Sequence, residues 1–283
     1  MSSEPFDLDA YLARIGYAGP RTPCWTVLAS VIGCHTATIP FENIEVFLRR
    51  PVPLDVAALQ RKMVWGRRGG YCYEHNILLL AALRAMGFDA EGLLARVLRG
   101  FAADADTPRT HMLLRVSLPE GLFLADSGFG NQTPTAPLAF GTEQAQPTLH
   151  EWFRLLPMQD ECLLQARLGE AWENVYRLST QRTAPIDYEV ANWFVSTRPG
   201  GLFVDNLVIA RQGPGRRVTL FNGRLTVRDM QGDIDQQMIT EEGPLTAALA
   251  DYFGLTLAST DIAALATAMR RRQENPDAHP HFG

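Results

Sequence analysis

The chain has 283 residues, of which 46% are hydrophobic and 20% charged, and its formal net charge is −5. This composition is typical of a globular protein with a sizeable core, and it excludes disorder, collagen and coiled coil as the dominant state. A protein that binds nucleic acid normally carries a basic excess, so we expect no nucleic-acid partner.

No stretch approaches the roughly 18 apolar residues of a membrane span, and the first residues do not have the pattern of a signal peptide. We therefore expect no membrane partner. The cysteines form no CxxC pair and are too few for a disulfide framework, which predicts free thiols, a cytoplasmic location and no metal site. They are Cys24, Cys34, Cys72 and Cys162. Lys62 is the only lysine, and we attribute the preference for arginine to codon usage.

Helical patterns dominate the N-terminal part. Apolar residues at helical spacing predict a helix over 10–17 and a second helix that is ended by Pro40. A third helix has Asp55 as its predicted N-cap. A fourth begins near Cys72 and ends before Gly87, and because it is apolar on most sides we expect it to be buried.

Short runs rich in Leu and Val follow, and they predict an antiparallel sheet or small barrel. A helical pattern over 187–197 comes next. The pair Asn222-Gly223 suits a type I′ turn and predicts a β-hairpin, and two helices close the chain. The predicted parts are residues 1–87 with helices, 88–182 with strands, and 183–283 with a connecting helix and a mixed α/β segment.

Cys72 is the strongest candidate for a catalytic residue. It lies where the buried helix is predicted to begin, after the segment RRGGY. A helix start presents unpaired N–H groups and the positive end of the helix dipole, which stabilise a thiolate, and Arg67 and Arg68 add positive charge. The two glycines permit a sharp turn and close approach of a substrate. A lone buried cysteine is more often inert, so its partners decide its role.

A nucleophilic thiol needs a histidine base and an acceptor that orients the histidine. His111 opens one predicted strand, and Asp126 ends the next strand before a glycine turn. If these strands pair as a hairpin, the imidazole and the carboxylate lie side by side. Cys72 at a helix start, followed by His111 and Asp126 on adjacent strands, is a papain-like arrangement.

Several segments together are specific for one family. RRGGYCYEHN, PRTHMLL and LADSGFG, in that order, closely resemble the signature segments of arylamine N-acetyltransferases, and PFENIEVF and the region of Phe203 resemble two more. The similarity extends over nearly the whole chain, and the length fits bacterial members. The resemblance implies an α+β fold in which an N-terminal helical bundle, an antiparallel β-barrel and a C-terminal α/β lid surround a papain-like cysteine triad.

The resemblance makes Cys72 the acyl acceptor, His111 the base and Asp126 the partner of the histidine. It implies a ping-pong reaction with acetyl-CoA as cosubstrate and no permanently bound cofactor. The acetyl group passes from acetyl-CoA to the cysteine, and then to an arylamine, arylhydrazine or arylhydroxylamine.

The resemblance also implies binding residues. Gly128, Phe129 and Gly130 form the turn that lies near the coenzyme in this family, so we expect them to contact acetyl-CoA. Phe129 is also expected to form aromatic walls for a flat aryl substrate, together with Phe41 and Phe203.

Some positions depart from the family pattern or match it without an assigned role. Tyr73 and His75 stand where some members have Phe and Leu, and Ser127 stands where Val is usual. We expect His75 to be solvated or hydrogen-bonded in the core rather than to act as the base. Glu42 and Glu74 match the pattern, and salt bridges to the arginines before the two glycines would explain them.

Two other function classes stay open on the residues alone. A cysteine peptidase or a transglutaminase-like hydrolase would use the same triad on peptides, although a C-terminal lid argues for small molecules. A catalytically silent binding module would use an aromatic pocket, although it has no need of a cysteine, a histidine and an aspartate in this order.

Overall fold

The computed structural model describes residues 6–274, and its N-terminal part is helical as predicted. Its elements are α1 (Leu8–Ile15), α2 (Trp25–Thr38), the short strand β1 (Phe41–Glu42), α3 (Ile44–Phe47), α4 (Val56–Leu59), a π-helical turn (Gln60–Trp65) and α5 (Cys72–Ala85). Asp55 caps α4 by accepting a hydrogen bond from the Ala58 N–H at 2.8 Å, which confirms the predicted N-cap. α5 begins at Cys72 and ends before Gly87, also as predicted.

The central part is one antiparallel sheet. Its strands are β2 (Asp89–Val97), β3 (Arg109–Leu118), β4 (Gly121–Ala125), β5 (Leu138–Ala139), β6 (Gln146–Pro147), β7 (Trp152–Met158), β8 (Glu161–Leu168) and β9 (Ala171–Ser179). The order β5-β4-β3-β2-β9-β8-β7-β6 leaves β5 and β6 at the two edges. The Gln146 side chain joins these edges, because its Oε1 accepts from the Ala139 N–H at 2.6 Å and its Nε2 donates to the Ala139 carbonyl at 3.0 Å. The sheet is therefore a nearly closed barrel.

The C-terminal part is mixed. Its elements are α6 (Pro185–Thr197), α7 (Leu202–Asp205), β10 (Val208–Gly213), β11 (Arg216–Phe221), β12 (Arg224–Asp229), β13 (Ile234–Met238), α8 (Glu242–Phe253) and α9 (Ser259–Glu274). Asn222 and Gly223 have φ angles of 47° and 88°, as a type I′ turn requires, which confirms the predicted hairpin. Of the third predicted segment, residues 275–283 lie outside the described residues.

The three parts meet at the start of α5. β1 belongs to the C-terminal sheet, because Phe41 pairs with Ala210 of β10. The same strand is tied to the residues before α5, since the Glu42 N–H donates to the Gly70 carbonyl at 2.7 Å. α5 itself packs between the N-terminal helices and one face of the barrel, in a shared apolar core. Within residues 6–274, no helix is long and apolar enough to cross a lipid bilayer.

Candidate active site

Cys72 is the first residue of α5 and is almost completely buried. Its Sγ lies 3.9 Å from the carbonyl oxygen of Thr110 on β3. Glu74 caps the helix, because its Oε2 accepts a hydrogen bond from the Tyr71 N–H at 3.0 Å. The first N–H groups of a helix have no partners within the helix, so these donors and the positive end of the dipole lie beside the thiol.

The two glycines before Cys72 are required by close packing. A Cβ on Gly69 would lie 2.0 Å from the Pro40 carbonyl oxygen, and a Cβ on Gly70 would lie 2.8 Å from Glu74 Oε2. The space that these glycines leave is therefore occupied by a backbone carbonyl and by the carboxylate that caps α5. Packing within the protein thus accounts for both glycines, and the close approach of a substrate at this turn stays a prediction.

His111 and Asp126 lie side by side, as the hairpin hypothesis predicts. β3 and β4 pair in antiparallel register, and His111 Nε2 donates to Asp126 Oδ2 at 2.7 Å. Because Nε2 is bonded to the carboxylate, Nδ1 is the nitrogen that remains for a proton exchange. The Cys72 side chain lies within hydrogen-bonding reach of the ring. The three predicted triad residues are thus brought together.

The Asp126 carboxylate is fully buried and accepts three further hydrogen bonds. Its donors are Asn76 Nδ2 at 3.0 Å, the Gly128 N–H at 2.9 Å and the Tyr176 hydroxyl at 3.1 Å. Burial disfavours the charged form, but the His111 charge and these hydrogen bonds hold the pKa of Asp126 below its ordinary value. The carboxylate is therefore a fixed negative charge at neutral pH.

The charge on Asp126 determines the protonation of His111. Burial disfavours the imidazolium, but the charge and hydrogen bond of Asp126, with a contribution from Cys72, raise the pKa of His111 from 6.5 to about 10. The ring is therefore a cation at neutral pH, and it places a positive charge beside the Cys72 side chain. Arg68 does not supply this charge, because its guanidinium is paired with Glu42 at 2.8 Å.

Sequence reasoning missed two residues that hold the triad. Asn76 follows Cys72 by one helical turn, and besides Asp126 it bonds the Met112 carbonyl at 2.7 Å through Nδ2. A polar residue at helical spacing from Cys72 in an apolar helix was the signal for it. Tyr176 lies on β9, with its ring centroid 5.0 Å from that of His111. Nothing in its strand pattern marked it.

The predicted aromatic residues contact neighbours of Cys72 or one another. The Phe129 ring is half-buried and perpendicular to His111, with 5.0 Å between centroids. Phe203 is also half-buried, and its ring lies 5.9 Å from that of Tyr71. Phe41 is only 6% exposed and packs behind Phe203, with 5.7 Å between centroids.

Structural reasons account for both glycines of the turn after Asp126. The Gly128 N–H is bonded to Asp126, and a Cβ on Gly128 would lie 2.8 Å from Cys72 Cα. Gly130 has a φ of 84°, which favours glycine, and its carbonyl accepts from Gln212 Nε2 at 2.7 Å. Their contact with the coenzyme stays a prediction.

His75 belongs to a buried chain of hydrogen bonds. Its Nε2 lies 3.1 Å from the Pro40 carbonyl, its Nδ1 lies 2.8 Å from His35 Nε2, and His35 Nδ1 lies 2.8 Å from the Tyr11 hydroxyl. A carbonyl only accepts, so His75 donates from Nε2, His35 donates to His75, and Tyr11 donates to His35. Burial lowers the pKa of His75 to about 4. The prediction of a core histidine is confirmed.

The acidic residues are paired in part as expected. Glu42 pairs with Arg68 as predicted, whereas Glu74 Oε1 lies 2.7 Å from Lys62 Nζ instead of an arginine. Arg67 is exposed. Across residues 6–274, no group of His, Cys, Asp or Glu side chains is arranged to hold a metal ion.

A cleft of about 450 Å³ lies between α6 and the barrel, beside the site. Thr110, whose carbonyl contacts Cys72, is one of its lining residues. Val190 and Phe194 of α6 give it an apolar side. The cleft is thus large enough for a small molecule and adjoins the strand that carries His111.

Residues 26–262 match a protein family described as N-acetyltransferase. An arylamine N-acetyltransferase of Mycobacterium tuberculosis is 39% identical over 256 residues, which cover 89% of this chain and 90% of that protein. The arylamine N-acetyltransferase / N-hydroxyarylamine O-acetyltransferase of Salmonella typhimurium is 34% identical over 284 residues, covering 98% of each chain. The structure of Mycobacterium marinum arylamine N-acetyltransferase in complex with CoA has a TM-score of 0.85 and 36% identity, and the match covers 94% of this chain and 98% of that one.

Proposed function

The chain belongs to the arylamine N-acetyltransferase family, and from this premise we propose that Cys72, His111 and Asp126 move an acetyl group in two half-reactions. The chain is an acetyl-CoA-dependent arylamine N-acetyltransferase with the α+β fold of that family. One observation above all supports the proposed roles. The thiol of Cys72 at a helix start lies beside the His111 imidazole, which lies beside the buried Asp126 carboxylate. His111 Nε2 and Asp126 Oδ2 are 2.7 Å apart.

In the first half-reaction, the Cys72 thiolate attacks the carbonyl carbon of the acetyl thioester. A C–S bond to Cys72 forms, and the C–S bond to the coenzyme breaks. The His111 imidazolium gives its Nδ1 proton to the departing CoA thiolate. The tetrahedral intermediate carries an oxyanion that needs N–H donors, and the Cys72 N–H at the start of α5 is one donor of this kind.

In the second half-reaction, the nitrogen of the arylamine attacks the acetyl-cysteine thioester. His111 is now neutral, and it accepts the proton that the nitrogen loses. The bond to Cys72 breaks, so the thiolate and the imidazolium form again together. Asp126 stabilises this imidazolium, because its carboxylate is held ionised by the hydrogen bonds around it.

Both substrates require recognition near Cys72. The half-buried ring of Phe129 packs against His111, and that of Phe203 packs against Tyr71, the residue before Cys72. These positions support a role of both rings in holding a flat aryl group. We propose arylhydroxylamines as further acceptors, since the Salmonella relative is also named an N-hydroxyarylamine O-acetyltransferase. Arylhydrazines are proposed as well, because they present a nucleophilic nitrogen next to the same kind of flat ring. We also propose that the reaction takes place in the cytoplasm and involves neither nucleic acid nor a membrane.

The test is the intact mass of the protein after incubation with acetyl-CoA alone. We expect one acetyl adduct in the wild type and in C162A, and none in C72A. Cys162 is a suitable control because it is half-buried and burial raises the pKa of its thiol. A folded wild-type protein that gains no adduct, or a C72A variant that gains one, contradicts the proposal.

A further inference from the structure

Lys62 is the only lysine of the chain, and its ammonium is buried beside two glutamates. We propose that Lys62 is a positioning residue for the nucleophile, which it serves by keeping Glu74 ionised against the N-terminal amide of α5. The inference rests on the proposed role of Cys72. The sequence pattern assigns no role to Lys62, and the preference for arginine is attributed to codon usage.

The geometry links Lys62 to Cys72 in two contacts. Lys62 Nζ lies 2.7 Å from Glu74 Oε1, and Glu74 Oε2 accepts from the Tyr71 N–H at 3.0 Å. Tyr71 is the N-cap of α5, and Cys72 is the next residue. Gly70 makes this arrangement possible, because any Cβ at that position would collide with the Glu74 carboxylate. The ammonium therefore holds the group that fixes the first turn of the nucleophile helix.

The ionised state of Glu74 depends on Lys62 more than that of Glu42 does. Glu42 keeps a guanidinium, that of Arg68, at 2.8 Å, and its Oε2 also accepts from the Ile44 N–H at 2.8 Å. Lys62 is 3.8 Å from Glu42 but 2.7 Å from Glu74, for which it is the paired cation. Burial already raises the pKa of Glu74 above its ordinary value, and the charge of Glu42 adds to this effect. Without the ammonium, the pKa of Glu74 rises further, because Lys62 is the charge that opposes the effects of burial and of Glu42.

The location explains why this basic residue is a lysine. The side chain comes from the π-helical turn, is 19% exposed and must end between two carboxylates. A compact ammonium on a flexible stem fits this position, whereas a planar guanidinium requires more room.

Loss of the charge on Glu74 reaches the reaction through the first turn of α5. An ionised carboxylate is a stronger acceptor for the Tyr71 N–H than a protonated one, so protonation loosens the cap. The N–H groups beside the thiolate then lose their fixed direction. Other charged or titratable groups around this end of α5 come from the loop before it, from β1 and α3, from α5 itself and from the barrel: Arg68, Glu42, Glu45, Tyr73, His111 and Asp126.

The test is the pH profile of two rates, acetylation of Cys72 by acetyl-CoA and alkylation of Cys72 by iodoacetamide. For K62M we expect the rate relative to the wild type to fall at least about fivefold between about pH 8 and pH 6, because Glu74 becomes protonated. K62M/E74Q is expected to keep the pH dependence of the wild-type rates, since it has no unpaired carboxylate at position 74. R61M removes an exposed neighbouring charge and serves as the control.

The outcomes separate charge from packing. A folded K62M variant whose rates depend on pH as those of the wild type do overturns the inference. A loss of rate at low pH that persists in K62M/E74Q also overturns it. If K62M does not fold, recovery of folded protein in K62M/E74Q supports the coupling, and failure to recover it contradicts the coupling. A wild-type protein that is alkylated but never acetylated at Cys72 overturns the proposed function instead, while the alkylation profiles still decide the role of Lys62.

Discussion

Gly128→Ala tests whether the packing of the Asp126 turn against α5 sets the geometry of the triad. A Cβ on Gly128 would lie 2.8 Å from Cys72 Cα, an atom that cannot rotate away. Ordinary contact begins at 3.4 Å, so the two segments must separate by about 0.6 Å or more. Overpacking of this kind costs about 1–3 kcal/mol of stability. Because a displacement of about 1 Å in a catalytic site can cost about 100-fold in rate, we expect the acetylation rate to fall about tenfold or more.

The assay is the release of CoA in the first half-reaction, measured together with the melting temperature. Gly243→Ala is the matched control, because a Cβ at that position on α8 meets no atom within 4 Å. We expect this control to keep the wild-type rate. A folded G128A protein with an unchanged rate refutes the reasoning, and a lower melting temperature alone does not rescue it, since the packing would then matter only for stability.

Two further predictions concern buried polar groups. The unfolded chain binds a proton at His75 below about pH 6.5, while the folded chain does so only below about 4, so stability falls by about 3 kcal/mol as the pH drops between these values. His75→Gln is expected to flatten that slope in denaturant titrations at several pH values, and an unchanged slope contradicts the assignment. Asn76→Ala leaves Asp126 and the Ser127 N–H with one hydrogen-bond partner fewer each. We therefore expect the free energy of unfolding to fall by about 1–3 kcal/mol in melting experiments, and acetylation to become slower. An acetylation rate equal to that of the wild type contradicts this role of Asn76.

Local signals predicted much of the architecture and the triad. The helix that begins at Cys72 follows from an apolar run that starts after two glycines, and the hairpin at Asn222 follows from a turn that only a few residue pairs allow. The adjacency of His111 and Asp126 needed only that consecutive strands pair, which is the usual behaviour of short antiparallel connections. In each case the information lies within a few residues of the feature.

Contacts between distant elements could not be predicted in the same way. β1 pairs with β10 across more than 160 residues, and a two-residue strand carries no pattern of its own. Tyr176 reaches Asp126 from β9, which β2 and β3 separate from β4, and Lys62 reaches Glu74 from a π-helical turn. The partners of these side chains are set by the groups that face them after folding, and no residue spacing in the sequence indicates those groups.

The two buried histidines closest in sequence or space to Cys72 show how the fold sets the charge of an imidazole. His75 lies on the same helix as the thiol, yet its nitrogens face the Pro40 carbonyl and the neutral ring of His35, and its pKa is lowered to about 4. His111 is equally buried, but its Nε2 faces a carboxylate, and its pKa is raised to about 10. Desolvation acts on both rings in the same direction, so the difference comes from the groups around each ring, above all from Asp126 at His111. A histidine without a charged acceptor cannot hold the proton that the leaving thiolate requires, and proximity to the nucleophile is therefore insufficient to make it the catalytic acid.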